Sequence, residues 1–192
     1  MCINAGVVLY LLPIGFAMRR LLLLRHAKTE ADAPSGRDVD RRLDSRGRDD
    51  AALMGQWLGK QERVPDLVLV STATRAQQTW AIVAAELARA TITPKAIHLD
   101  VLYGAGPAEL LDQVQVEGRS AATVMVVAHN PGLHELGFAL AASGDAAART
   151  ALTDNLPTGA IATLDFSTDD WSDVRFRSGH LTSFVSPKSL KG

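Results

Sequence analysis

The chain has 192 residues and a single cysteine, Cys2, so it forms no internal disulfide and a fold stapled by disulfides is excluded. That usage suits a reducing compartment, and a cytoplasmic location is expected. Charge of one sign is also lacking: 20 basic and 21 acidic residues leave a net charge of -1. A nucleic-acid or membrane-surface partner is therefore not expected, because binding a polyanion requires a basic excess. No low-complexity segment, internal repeat or linker interrupts the chain. The longest apolar run, INAGVVLYLLPIGFA, has 15 residues. It is shorter than the roughly 20 residues needed to span a bilayer. No positive side chain precedes it as one would in a signal peptide. Met18 follows at once, so residues 1–17 read as an apolar extension arising from the choice of start site, and residues 18–192 as one domain. An atypical export signal or an apolar helix packed on the domain are the alternatives for the extension.

What is present is a repeated alternation. Hydrophobic residues at 47% and charged residues at 21% match an ordinary globular protein long enough to bury one core. From residue 20 onward, the runs LLLL (21–24), LVLV (67–70) and TVMVVA (123–128) are apolar throughout, as strands buried on both faces are. Amphipathic stretches separate them. LDSRGRDDAALMGQWLGKQ places Leu53, Met54, Trp57 and Leu58 on one helical face, with Asp44 or Ser45 at the cap. TRAQQTWAIVAAELARA predicts a helix beginning near Thr72, GPAELLDQVQVEG one with Pro107 in its first turn, and GLHELGFALAAS a fourth. AIATLDF and WSDVRFR, around the turn-like STDD, suggest an antiparallel hairpin at a sheet edge. The expected fold class is α/β, a three-layer α/β/α domain with a mostly parallel central sheet. The loop from Ala27 to Arg42 is long enough to fold over a site.

Polar residues collect after the buried strands: Arg25 and His26 after the first, STATR ending in Arg75 after the second, His129 and Asn130 after the third. In open parallel sheets ligands bind beyond the carboxyl ends of the strands, so these segments should approach one place. Cations gathered at a partly buried site repel unless an anion offsets them, and phosphate fits: guanidinium matches its oxygens, histidine donates to oxygen or attacks phosphorus, and helix N-termini near Thr72 and Gly132 add amide donors. Taken singly, an arginine after a strand is usually a surface salt-bridge partner and a histidine a satisfied structural residue. Their repetition at the same end of successive strands carries the argument.

The ordered motifs LLLLRHAKTE, RRLDSRG, VLVSTATRAQQT and VVAHNPGL, spanning residues 21 to 133, resemble those of the histidine phosphatase (phosphoglycerate-mutase-like) superfamily, and most closely the SixA-type phosphohistidine phosphatases. The chain departs from that pattern at Thr72, where proline is typical, and at Asp44, where threonine or serine is. The resemblance implies that His26 is a nucleophile forming a covalent phosphohistidine and that Arg25, Arg75 and His129 hold the phosphoryl oxygens, without metal or cofactor. The candidate substrate-binding set is Arg25, Arg75, His129 and Asn130, with Lys28 at the rim. The larger branches of the superfamily carry an acidic Glu after the strand matching AIHLDVLYGAG. Here Tyr103 and Gly104 stand there. Asp100 and Glu109 are the nearby alternatives for a general acid, although Glu109 also reads as a first-turn helix carboxylate.

A missing acid favours an imidazole over an alkoxide leaving group. The function expected is therefore a metal-independent phosphatase acting on phosphohistidine in a protein. The rivals are a small-molecule phosphomonoesterase or mutase, with a small phosphate ester as partner, and a noncatalytic phosphate-binding module. His134, five residues beyond His129, does not suit a metal pair, since ligands on a helix favour a spacing of four. Arg41 and Arg42 read as solvated charges unless the loop carries one over the pocket, and His98 and His180 have no assigned role.

Overall fold

The computed structural model describes residues 18–61, 64–89 and 93–192. The expected apolar extension, residues 1–17, lies outside them. The strands are β1 (Arg19–Arg25), β2 (Leu67–Ser71), β3 (Lys95–Leu99), β4 (Thr123–Ala128), β5 (Ala141–Gly144), β6 (Ile161–Phe166) and β7 (Gly179–Val185). The helices are α1 (Ser45–Lys60), α2 (Thr74–Leu87), α3 (Pro107–Gly118), α4 (Gly132–Leu140), α5 (Ala146–Asp154) and α6 (Pro187–Lys191). One seven-stranded sheet has the order β3-β2-β4-β1-β6-β7-β5. All neighbours in it are parallel except β1 with β6 and β6 with β7.

The apolar runs explain this arrangement. Leu21 to Leu24 are fully buried, and their side chains alternate across the pleat. Leu21 and Leu23 meet Leu110, Val114, Leu133 and Leu136 of α3 and α4, whereas Leu22 and Leu24 meet Met54, Leu58, Trp80 and Val83 of α1 and α2. A strand sandwiched between helix layers needs apolar residues at every position, which is why the sequence shows no alternation there. Each of these leucines contributes about 1.5–3 kcal/mol of burial. The α/β class, its three layers and the presence of an antiparallel hairpin are as expected, although the second strand and position of that hairpin differ.

Helix starts follow local chemistry. Asp44 caps α1, its Oδ1 accepting from the Gly47 amide at 2.6 Å. Gly47 is required for space: a Cβ there would stand 2.0 Å from the Lys28 carbonyl oxygen. The same holds for Gly132 at the head of α4, where a Cβ would stand 1.9 Å from the Ala105 carbonyl oxygen. These two contacts lay the segments that follow β1 and β3 against helix starts at the carboxyl end of the sheet.

Four expectations are corrected. The second hairpin strand is Gly179–Val185, because Trp171 and Val174, spaced by three, bury from a 3-10 turn at Trp171–Asp173. The hairpin is not outermost, since β5 pairs beyond β7. The fourth helix stops at Leu140, where Ala141–Gly144 turns into that strand. The second helix starts at Thr74 rather than Thr72, because Ala73 is extended. No helix of the described residues is long and apolar enough to cross a membrane.

Candidate active site

His26 leaves the end of β1 still tied to the sheet, its amide donating to the Ala128 carbonyl of β4 at 3.1 Å. Its ring is buried, and Nδ1 lies 2.8 Å from the Ala27 carbonyl oxygen. A carbonyl only accepts, so Nδ1 carries the proton and the lone pair falls on Nε2. The backbone thus fixes which nitrogen is nucleophilic. The adjacent Ala27 amide donates to Thr79 Oγ1 at 3.0 Å, and that hydroxyl donates to the Arg75 carbonyl at 2.7 Å. One fully buried threonine of α2 therefore links the exit of β1 to the turn that bears Arg75.

Arg25 and Asn130 share an anchor. Arg25 Nη1 and Asn130 Nδ2 both donate to the Leu156 carbonyl at 3.0 Å. The loop ahead of β6 also reaches this end of the sheet through the Gly159 amide, which approaches the Arg25 and His26 carbonyls at 3.1 and 3.2 Å. His129 follows β4, with Nε2 lying 2.8 Å from Ser71 Oγ at the end of β2. The rings of His26 and His129 are 5.1 Å apart between centroids. Three buried nitrogens of this group, Arg25 Nε, Arg75 Nε and His129 Nδ1, have no hydrogen-bond partner. Buried polar atoms are nearly always satisfied, so such a set of nitrogens suits an anion with several acceptor oxygens.

The long loop adds Asp38, which sequence reasoning missed, and Arg41, which it left as a solvated charge unless the loop carried it over the pocket. A 3-10 turn, Asp38–Asp40, brings Asp38 onto Arg75. Arg75 Nη1 donates to the Asp38 carbonyl at 2.7 Å and Nη2 to Asp38 Oδ2 at 2.9 Å. Tyr103, from the turn after β3, donates its hydroxyl to the same Oδ2 at 2.9 Å and stands edge-on to the His129 ring at 5.6 Å. Arg41 Nε is buried, lies 3.4 Å from Asp38 Oδ1, and adds positive charge felt by His26. The signal available in sequence was the Asp38–Arg41 spacing of three in a loop rich in aspartate and arginine.

Burial depresses both histidines. His26 is held at about 4, first by desolvation and then by the charges of Arg75, Arg25 and Arg41, which together outweigh the opposing pull of the Ala27 carbonyl. His129 is held at about 3, again by desolvation first, with His26 and Arg75 adding to it and Asp38 opposing it. Burial also lowers Arg25. Asp38 is held below the usual carboxylate range, chiefly by the Tyr103 hydroxyl and then, against partial burial, by Arg75. At pH 7 the pocket therefore holds neutral imidazoles among cationic guanidiniums and one ionised carboxylate.

A stability prediction follows. Between the ordinary histidine value near 6.5 and the folded values near 4 and 3, the unfolded chain binds more protons than the folded one. This contribution to stability is complete above pH 6.5 and is lost progressively as pH falls through 4. The melting temperature should drop by about 5 °C or more between pH 6.5 and 4. His26→Gln should flatten that dependence, and an unchanged slope in the variant would show that His26 is not the group responsible.

The sequence-derived candidates divide accordingly. Arg25, His26, Arg75 and His129 come together, and Asn130 joins them through the Leu156 carbonyl. Lys28 is exposed, and its backbone carbonyl accepts from the Asp44 amide at 3.1 Å. Asp100 Oδ1 accepts from the Thr72 hydroxyl at 2.6 Å. Glu109 Oε2 accepts from the Gly106 amide at 2.9 Å, the first-turn role weighed for it. His134 Nε2 lies 2.6 Å from the Leu152 carbonyl, well employed within the core layer. Exposed His180 pairs with the Ser143 hydroxyl, and His98 lies exposed on β3. Among the described residues, no group of three or more His, Cys, Asp or Glu side chains is placed to hold a metal ion.

Comparison with known proteins gives these features a context. Residues 21–99 match the family model of the histidine phosphatase superfamily (branch 1). An uncharacterized protein of Mycobacterium tuberculosis is 37% identical over 168 residues, covering 86% of this chain and 100% of that protein. Among solved structures, a protein assigned as the phosphohistidine phosphatase SixA of Nakamurella multipartitia superimposes with a TM-score of 0.76 at 30% identity, covering 88% of this chain and 96% of the other. The protein histidine phosphatase SixA complexed with tungstate superimposes with a TM-score of 0.63 at 28% identity, covering 89% and 99%.

Proposed function

The chain belongs to the histidine phosphatase superfamily and is a phosphatase, and from that premise we propose that it removes phosphate from phosphohistidine in a protein through a covalent intermediate on His26. The observation that carries the proposal is the set of unpartnered buried nitrogens, Arg25 Nε, Arg75 Nε and His129 Nδ1, beside a histidine whose Nε2 lone pair is free. In a first step the His26 Nε2 lone pair attacks phosphorus in line. The bond to the leaving nitrogen breaks, and the electron pair leaves with the imidazole of the substrate. Arg25, Arg75 and His129 hold the equatorial oxygens, whose shared charge they offset at the transition state, with Arg41 adding to the local positive field. Water then attacks phosphorus from the side the imidazole left, the His26–phosphorus bond breaks, and inorganic phosphate departs with His26 neutral again.

The electrostatics support this order of events. A histidine held at about 4 is an unprotonated nucleophile at pH 7 rather than an imidazolium. Similarity to SixA proteins, one of them solved with tungstate, an oxyanion that mimics phosphate, supports a phosphoryl group as the ligand. The test is release of inorganic phosphate from a phosphohistidine-bearing protein, with vanadate, a mimic of the five-coordinate transition state, as competitor and a chelator as control. Turnover that vanadate inhibits and the chelator spares is expected. Activity lost to the chelator and restored by added metal would overturn the mechanism.

A further inference from the structure

We propose that Asp38 determines substrate specificity at this pocket, rejecting phosphate compounds whose leaving group carries negative charge. The inference rests on the phosphatase reading above and deepens it. It begins from the direction of in-line attack. The Nε2 of His26 approaches phosphorus from the buried end of β1, so the leaving group must depart on the opposite side, toward solvent. Arg75 is almost fully buried, with 8% of its side chain accessible, whereas the Asp38 carboxylate that grips it has 54% accessible. Asp38 therefore stands on the solvent side of the Arg75 guanidinium, where a leaving group that departs toward solvent would pass it.

Its placement there is over-determined. The carboxylate is held by Arg75 Nη2 and the Tyr103 hydroxyl, both at 2.9 Å, while its own backbone carbonyl receives Arg75 Nη1 at 2.7 Å. Arg41 approaches the other oxygen at 3.4 Å. These contacts come from three separate elements: the loop itself, α2 and the turn after β3. The arrangement has two effects on a substrate. First, Asp38 accepts one N–H from each terminal nitrogen of Arg75, which fixes the guanidinium while the second N–H of each and the unpartnered Nε remain for the anion. Second, the outward charge of Arg75 and part of that of Arg41 are cancelled at the mouth. A carboxylate or second phosphate on the leaving group then finds an anion where a bare arginine would have welcomed it. A leaving group with a spare N–H, such as the second nitrogen of an imidazole, finds an acceptor. The same residue thus favours phosphohistidine and disfavours acidic small-molecule phosphates.

The test uses a pair of isosteric esters, 4-carboxyphenyl phosphate and 4-carbamoylphenyl phosphate, with the full chain and its Asp38→Asn variant. Asparagine keeps an acceptor for Tyr103 and the backbone carbonyl for Arg75 but removes the charge. Because Arg75 loosens in the variant, the quantity read is the ratio of the two kcat/KM values rather than either alone. The parent should prefer the neutral ester by about 10-fold, and Asp38→Asn should shrink that preference by about 5-fold or more. Asp38→Ser, which also removes the charge from this half-exposed loop position, should shrink it similarly and guards against a fault peculiar to asparagine. A ratio unchanged in both variants overturns the assignment while leaving the phosphatase reading intact. If the parent hydrolysed neither ester nor a phosphohistidine protein, the phosphatase reading would fall. The same ratio would then be read from the dissociation constants of the two esters by calorimetry, where an unchanged value again overturns the role of Asp38.

Discussion

Replacing His26 by alanine should lower kcat by at least about 10⁴-fold, because the covalent step has no other nucleophile to use. The expectation rests on one geometric fact: the Ala27 carbonyl at 2.8 Å accepts a hydrogen bond from Nδ1–H and leaves Nε2 as the basic nitrogen. Among the described residues His129 is the only other histidine near the site, but Ser71 Oγ lies against its Nε2, and the role proposed for it is to stabilise charge. His129→Ala should therefore cost about 10²- to 10³-fold, as loss of one oxyanion donor does. Parent enzyme stopped within its first turnover, without acid because phosphohistidine is acid-labile, should carry one phosphoryl group on the peptide containing His26. Retention of a tenth of parental kcat by a folded His26→Ala protein, or a phosphoryl group found on another residue, would refute the mechanism. Melting curves of the variants make the comparison fair, since alanine at position 26 leaves the buried Ala27 carbonyl without its donor.

The sequence and the structure agree where one physical rule acts alone. Leu21 to Leu24, Leu67 to Val70 and Thr123 to Ala128 are legible as strands because a parallel strand between two helix layers admits apolar residues at each position. Arg25, His26, Arg75 and His129 are legible as one site because the carboxyl ends of such strands converge. Agreement fails where two rules compete. Ala141–Gly144 continues the helical composition of α4 yet pairs with β7, since small residues have no periodicity strong enough to announce a short edge strand. Trp171 and Val174 imitate a strand in a hydrophobic reading, but both bury from a tight turn. Asp38 was illegible as a site residue, and Arg41 and Tyr103 legible only as open alternatives, for a different reason. Their proximity depends on how the 19-residue stretch between β1 and α1 folds back and on where the turn after β3 falls, and tertiary contacts such as Leu43 amide to Gln78 Oε1 at 2.9 Å decide that. Beyond the Asp38–Arg41 spacing of three, local pattern carries no information on it.

The remaining large effect concerns the leaving group. The substrate preference of this chain should favour phosphohistidine and activated aryl phosphates over alkyl phosphates such as sugar phosphates by at least about 10²-fold in kcat/KM. An alkoxide leaves poorly without a proton, and a positioned general acid typically contributes about 10²- to 10⁴-fold. The carboxyls near the pocket are unsuited to that task. Glu109 accepts from the Gly106 amide at the head of α3, and Asp100 accepts from Thr72. Asp38 is nearer, but Tyr103 and Arg75 hold it ionised, so at pH 7 it only accepts hydrogen bonds and has no proton to give. An imidazole escapes the penalty because its departing nitrogen is a weak base compared with an alkoxide, and its second N–H meets an acceptor at the mouth. Glu109→Gln and Asp100→Asn should accordingly change phosphohistidine turnover by less than about 3-fold, the size of an uninvolved neighbour's effect. A loss near 10³-fold in either variant would identify that residue as the acid, and sugar phosphates proving the better substrates would remove the reason for assigning phosphohistidine at all.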